Sequence, residues 1–183
     1  MHRYSANSLR WAATLLWLLA PGNAPAAQGS VAGVRWSVPA RWSEQPPRKM
    51  RFATYLVPGA KGAEAGECAV FYFGKGQGGS VEENLTRWAK QFEQPASRKT
   101  STRTVSGLKV HIADLWGTYV GPEGPMMESP ERKPNYRLLG AIVEAPGGLV
   151  FFKCIGPAET ISQTEEDFDR LIQSLAKGEM TTI

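Results

Sequence analysis

His111 and Asp114 stand three positions apart, and an acid paired with an imidazole beside a hydroxyl or thiol is a working arrangement for proton abstraction. No serine, cysteine or threonine occupies a nucleophile motif such as G-x-S-x-G, so the sequence names no catalytic residue. A small hydrolase or lyase with a site near His111 is therefore the alternative, and a solvated strand histidine the plainer reading. Gly74-Lys75-Gly76-Gln77-Gly78-Gly79 spells G-x-G-x-x-G between a predicted strand and a predicted helix, as in dinucleotide-binding loops. That motif requires a buried parallel strand next, whereas Arg98-Lys99-Thr100-Ser101-Thr102-Arg103 is polar, so a nucleotide is not expected. A narrower anion site survives. Lys75, Gly79 and Ser80 place a cation and free helix-start amides together, where a phosphate or carboxylate would be held. A plain connector is the competing reading.

Met126-Met127 offers thioethers of the kind that bind Cu(I), but one distant histidine makes a thin ligand set. Glu165-Glu166-Asp167 and Asp169 fit the positive end of a helix better than a calcium loop. Cys68 and Cys154, with one histidine outside the leader, fall short of a structural zinc set. No metal and no cofactor are expected. The two cysteines form a disulfide or remain buried thiols; both lie in apolar runs, and sequence cannot show whether their strand positions match.

The first 26 residues read as an export signal. Arg3 and Arg10 make a basic start, Trp11 to Ala20 an apolar run, Pro21-Gly22 a break and Ala24-Pro25-Ala26 a small-residue exit, so cleavage is expected after Ala26. The run is about half of the ~20 apolar residues that a membrane span requires, so stable membrane insertion is not expected. The protein is placed in a bacterial periplasm or secreted. Residues 27–183 then form one domain, large enough to fold around its own core. The formal charge of +4 falls by two when Arg3 and Arg10 leave, too weak a balance to imply a nucleic-acid partner.

Apolar alternation predicts a short strand at Val34–Val38, the unbroken apolar run Cys68–Phe73 predicts a strand buried on both faces, and further strands are expected at Met50–Val57, Lys99–Val105 and Leu108–Tyr119. The Lys99–Val105 piece is Thr-rich and polar, as an edge strand would be. In the Leu108–Tyr119 strand, Leu115 falls on the parity opposite to Leu108, Val110 and Ile112, which predicts a bulge near Ala113-Asp114. Tyr136–Glu144 and Leu149–Ile155 flank Ala145-Pro146-Gly147-Gly148, read as a type II turn. Ser80-Val81-Glu82-Glu83 is a capping box, and Val81, Leu85, Trp88, Ala89 and Phe92 form one helical stripe ended before Pro95. A last helix carries Ala158, Ile161, Phe168, Leu171, Ile172 and Leu175, with Thr160 or Ser162 as its cap and Lys177-Gly178 at its end. The fold class is α+β: a mostly antiparallel sheet of about six to seven strands with two amphipathic helices.

Trp36-Ser37-Val38-Pro39-Ala40-Arg41-Trp42, a helix with Arg87-Trp88 and Phe92, and Phe151-Phe152-Lys153-Cys154-Ile155-Gly156-Pro157 before a helix with Phe168 and Leu175 follow a known order. The chain resembles small exported bacterial proteins of the Mog1/PsbP-like α/β/α sandwich type. That resemblance implies a binding or accessory role with a protein partner, as PsbP assists photosystem II and Mog1 binds the GTPase Ran. It assigns no functional residue. The Pro-rich loop from Gly121 to Asn135 is expected to meet such a partner through Met126, Met127, Glu128 and Arg132.

Overall fold

The computed structural model describes residues 27–60, 62–93, 97–122 and 132–179. The leader, its cleavage site and Met126, Met127 and Glu128 lie outside the described residues. The elements run β1 (Gln28–Val31), β2 (Val34–Ser37), β3 (Ser43–Glu44), β4 (Ala53–Val57), β5 (Gly66–Tyr72), α1 (Val81–Ala89), β6 (Ser97–Val105), β7 (Leu108–Tyr119) and β8 (Lys133–Ala145). They continue through β9 (Gly148–Pro157), α2 (Ala158–Gln163), α3 (Glu165–Gln173) and β10 (Ala176–Lys177).

Seven strands form one antiparallel sheet in the order β3-β4-β5-β9-β8-β7-β6, and β1, β2 and β10 form a second, three-stranded sheet. The α+β sandwich expected from the pattern is the architecture observed, with the small sheet added. Both faces of the large sheet are covered. On one, α1 brings Leu85 and Trp88 onto Ala113, Leu115, Leu138, Ile142 and Phe151. On the other, α2, α3 and the small sheet bring Ile161, Phe168, Leu171, Ile172 and Trp36 onto Val110, Leu139, Ala141, Val143 and Phe152. In β8, accordingly, Leu138 to Val143 are buried without a break. Gly140 lies under the Trp88 ring, which leaves no room for a β-carbon.

Two-sided burial also explains Leu115. The β7–β8 register runs unbroken past Ala113 and Asp114, and its one irregularity falls between Gly117 and Tyr119. No bulge occurs where one was expected: Leu108 and Val110 serve one core, Ala113 and Leu115 the other. The β8–β9 hairpin is also tighter than expected. Ala145 pairs with Gly148, and the left-handed φ of 127° sits at Gly148 rather than at Gly147, so the turn is not type II.

Cys68 and Cys154 face each other across β5 and β9, Cα atoms 3.9 Å apart, and are joined by a disulfide inside the core. The capping box at Ser80 forms, with the Ser80 hydroxyl accepting from the Glu83 amide and the Ser80 amide donating to Glu83. Phe92 lies beyond α1 and is buried through an isolated bridge to Tyr119. The last helix is two short ones, α2 and α3, broken at Thr164. There the Thr164 hydroxyl accepts from the Trp42 indole at 3.1 Å, and the Thr160 hydroxyl donates to the Glu64 carbonyl at 2.7 Å, so neither Thr160 nor Ser162 caps a helix. Lys177 does not end a helix either: it pairs with Val34 in the small sheet.

Candidate functional site

The sheet reaches further sideways than the helices that cover it. Ser106 and Gly107 both take the left-handed conformation (φ 49° and 74°), which suits a two-residue hairpin, and they carry the chain from β6 into β7. β6 is thus the outermost strand, nine residues long and mostly exposed. Its alternate residues face opposite sides. Lys99, Ser101 and Arg103 lie over Asp114, Ile112 and Val110, whereas Thr100 and Thr102 lie over Ala113 and His111.

Between β6 and α3 runs a groove of about 580 Å³. Ile112, Leu139 and Phe168 form its apolar floor, and Lys99, Arg103, Glu165 and Asp169 its charged rim. Arg103 reaches across to Asp169 at 2.7 Å, and its Nε, shielded from water, has no hydrogen-bond partner among the described residues. The far wall is fixed by Arg137, whose guanidinium makes two 2.8 Å bonds to Asp114, one of 2.9 Å to the Ser162 hydroxyl and one of 2.9 Å to Glu165. Its hydrogen bonds to Asp114 hold this arginine's pKa above its usual value, against the pull of burial.

On the opposite face a second hollow of about 420 Å³ lies between α1 and β6, lined by Val81, Leu85, Thr100, Thr102 and His111. The His111–Asp114 pair considered from sequence does not form. With β7 unbulged, they stand three positions apart on a regular strand and so point to opposite faces, and Asp114 goes to Arg137. His111 instead accepts or donates at both nitrogens: Nδ1 is 3.2 Å from Thr102 Oγ1 and Nε2 is 2.7 Å from Glu144 Oε1. The contact with His111, aided by Lys109, draws the Glu144 carboxyl below its ordinary range.

At the proposed anion site the Ser80 amide already donates to the Glu83 carboxylate at 2.6 Å, and that bond lowers the Glu83 pKa. Gly79 sits at φ 81°, and the Asn84 amide closes the turn onto the Gly78 carbonyl at 2.8 Å. Arg132, of the loop residues singled out from sequence, forms an exposed ion pair with Glu93 at 2.6 Å. Lys153 is the titratable group most displaced. Burial, reinforced by Arg51 and opposed by Glu67, lowers its pKa to about 8, while it donates to Gln91 at 2.5 Å and lies 5.6 Å from the Tyr119 ring centre.

The polar edge strand was legible in its Thr-rich sequence. The groove was not, because Arg103, Asp169 and Leu139 come together only where α3 settles on the sheet. No helix among the described residues is long and apolar enough to cross a membrane.

No protein-family profile and no curated protein sequence matches the chain. Among solved structures it is similar to LpqN of Mycobacterium tuberculosis, a protein involved in cell envelope biogenesis, with a TM-score of 0.55 at 10% identity over 86% of this chain and 88% of that one. It is also similar to the solution structure of the cyanobacterial PsbP, CyanoP, from Synechocystis sp. PCC 6803, with a TM-score of 0.52 at 10% identity over 88% and 98% of the two chains. The fold is PsbP-like.

Proposed function

We propose that the chain is an exported, non-enzymatic accessory protein of the bacterial cell envelope that binds a partner protein. The observation that carries this reading is the groove between β6 and α3, where an apolar floor is bordered by charges of both signs. Such a surface recognises another polypeptide better than it performs bond chemistry. The basic–apolar–small order of the first 26 residues supports export, and the likeness to an envelope protein is in keeping with it. The test has two arms. A tagged full-length chain should be found in the exported fraction, its mature form starting at Ala27 by mass spectrometry. Retention in the cytosol at full mass overturns export. From that fraction the wild type should co-purify an envelope protein that Ser101→Trp, which fills the groove from an exposed strand position, fails to hold. Equal recovery by the variant overturns the assignment of the groove. The loop residues Met126, Met127, Glu128 and Arg132 stand as a second contact surface, tested in the same capture by deleting 123–132.

A second reading rests on one set of contacts. Thr102, His111 and Glu144 are joined in the order hydroxyl, imidazole, carboxylate, which is the order of a nucleophile, a base and its orienting acid. As a hydrolase the protein would cleave p-nitrophenyl acetate, and both Thr102→Ala and His111→Ala would abolish the activity. Hydrolysis that survives in Thr102→Ala sinks that reading.

A further inference from the structure

The outer edge of β6 has the chemistry of a docking rail, and we infer that it accepts an extended acidic segment of a partner protein as an eighth strand of the large sheet. The inference rests on the partner-binding reading above and names what kind of segment the partner presents. No described strand pairs with the outer side of β6, so its outward amides and carbonyls are free to build another ladder. Hollows lie on both sides of that edge, the groove against α3 and the smaller one against α1, each sharing residues of β6. Side chains of an added strand would alternate between them.

The side chains of β6 define the segment that fits. Its middle is small and hydroxylic, Thr100-Ser101-Thr102, and its long residues, Arg98, Lys99 and Arg103, stand on either side. The floor at Ile112 and Phe168 is two strand spacings, about 10 Å, from an added strand. A long apolar side chain opposite Ser101 can lean across it to that floor, which a bulky residue at Ser101 would block. Acidic residues at the two ends of the segment would meet Lys99 and Arg103. A carboxylate there also competes with Asp169 for Arg103, whose Nε lacks an acceptor among the described residues. A second copy of this chain fits less well. Antiparallel self-pairing centred on Ser101 sets Lys99 against Arg103 twice, and β6 contains no acid to offset them.

The probe is a capped synthetic nonapeptide, Thr-Glu-Glu-Val-Phe-Val-Glu-Glu-Thr, which sets its central Phe opposite Ser101 and a glutamate opposite each of Lys99 and Arg103, followed by fluorescence anisotropy against the full chain. Expected is saturable binding that slows amide exchange in β6. Replacing the four glutamates by lysines should abolish it, and N-methylation of alternate peptide amides on the paired side should do the same. The Lys99→Glu, Arg103→Glu double variant should weaken binding about tenfold, the yield of two exposed ion pairs. Absence of binding, or unchanged binding of either the methylated or the lysine peptide, overturns the inference; the basic edge then only guards against aggregation. The two readings fail separately. A partner that co-purifies from the exported fraction while the peptide is ignored leaves the accessory role standing and removes strand addition. Peptide binding in β6 with no partner recovered does the reverse.

Discussion

The centre of the large sheet and its β6 edge are built from the same backbone ladder, yet they obey different rules. At the centre, β5, β9 and β8 are covered on both faces, and Cys68, Val70, Phe152, Cys154, Leu138 and Ile142 are fully buried. At the edge, β6 is Ser, Thr, Lys and Arg apart from its final Val105. The centre decides whether the chain folds, and the edge is free to decide what it meets. That division predicts a steep gradient in the effect of substitutions across a few strands.

The largest effect is expected at Trp88, which is buried against Gly140 and the α1-side core. Trp88→Ala should cost about 3–5 kcal/mol, read as a lowered urea midpoint with an unchanged slope. An unchanged midpoint would mean that α1 contributes little to that face. Next comes the disulfide. Cys68 and Cys154 are 86 residues apart in sequence, so the bond constrains a long loop of the unfolded chain. The Cys68→Ala, Cys154→Ala double variant should lose about 2–4 kcal/mol, and the reductant sensitivity of unfolding should vanish with it.

What the sequence made legible follows the same gradient. Regions where one residue type answers one local need could be read directly: Ser80 and Glu83 cap α1, and the polar, Thr-rich run Lys99–Val105 lies in the edge strand β6. Residues with two claims on them misled. Leu115 is out of phase only for a sheet with one dry face and one wet one, whereas both faces here are dry. Thr160 and Ser162 looked like helix caps, but tertiary partners, the Glu64 carbonyl and Arg137, claim their hydroxyls. Asp114 looked like a partner for His111, but it belongs to Arg137 on the other face. In each case the deciding contact lies more than 20 residues away in sequence or across the sheet, beyond what local spacing carries.

A smaller and pH-dependent effect tests how the α3 side is held. Asp167 is buried. Burial pushes its pKa up, but hydrogen bonds from Arg170 and Arg41 outweigh this and leave it below the usual value. Since the folded state holds that proton less tightly than the unfolded chain, the stabilisation is present above an ordinary Asp pKa of about 4 and is lost as pH falls below it. Asp167→Asn should therefore be less stable at neutral pH and lose less on acidification. If wild type and variant show parallel acid limbs, the Arg41–Asp167–Arg170 group does not hold α3 to the segment before β3.

The smallest effect is the sharpest comparison, because it uses one chemical change at both regions. Thr and Val have nearly the same shape, so Thr→Val exchanges a hydroxyl for a methyl and little else. At Thr160, which is fully buried, the hydroxyl donates to the Glu64 carbonyl at 2.7 Å; losing that bond should cost about 1 kcal/mol. At Thr100, exposed on β6, the hydroxyl is replaced where water can reorganise and strand preference is kept, so the change should stay within about 0.5 kcal/mol. The same Thr100→Val chain should still bind the acidic nonapeptide, since the ladder uses backbone groups that the substitution does not touch. Equal losses at Thr160 and Thr100 in paired denaturation curves would mean that β6 is as covered as the centre, and an edge open to an eighth strand would no longer exist.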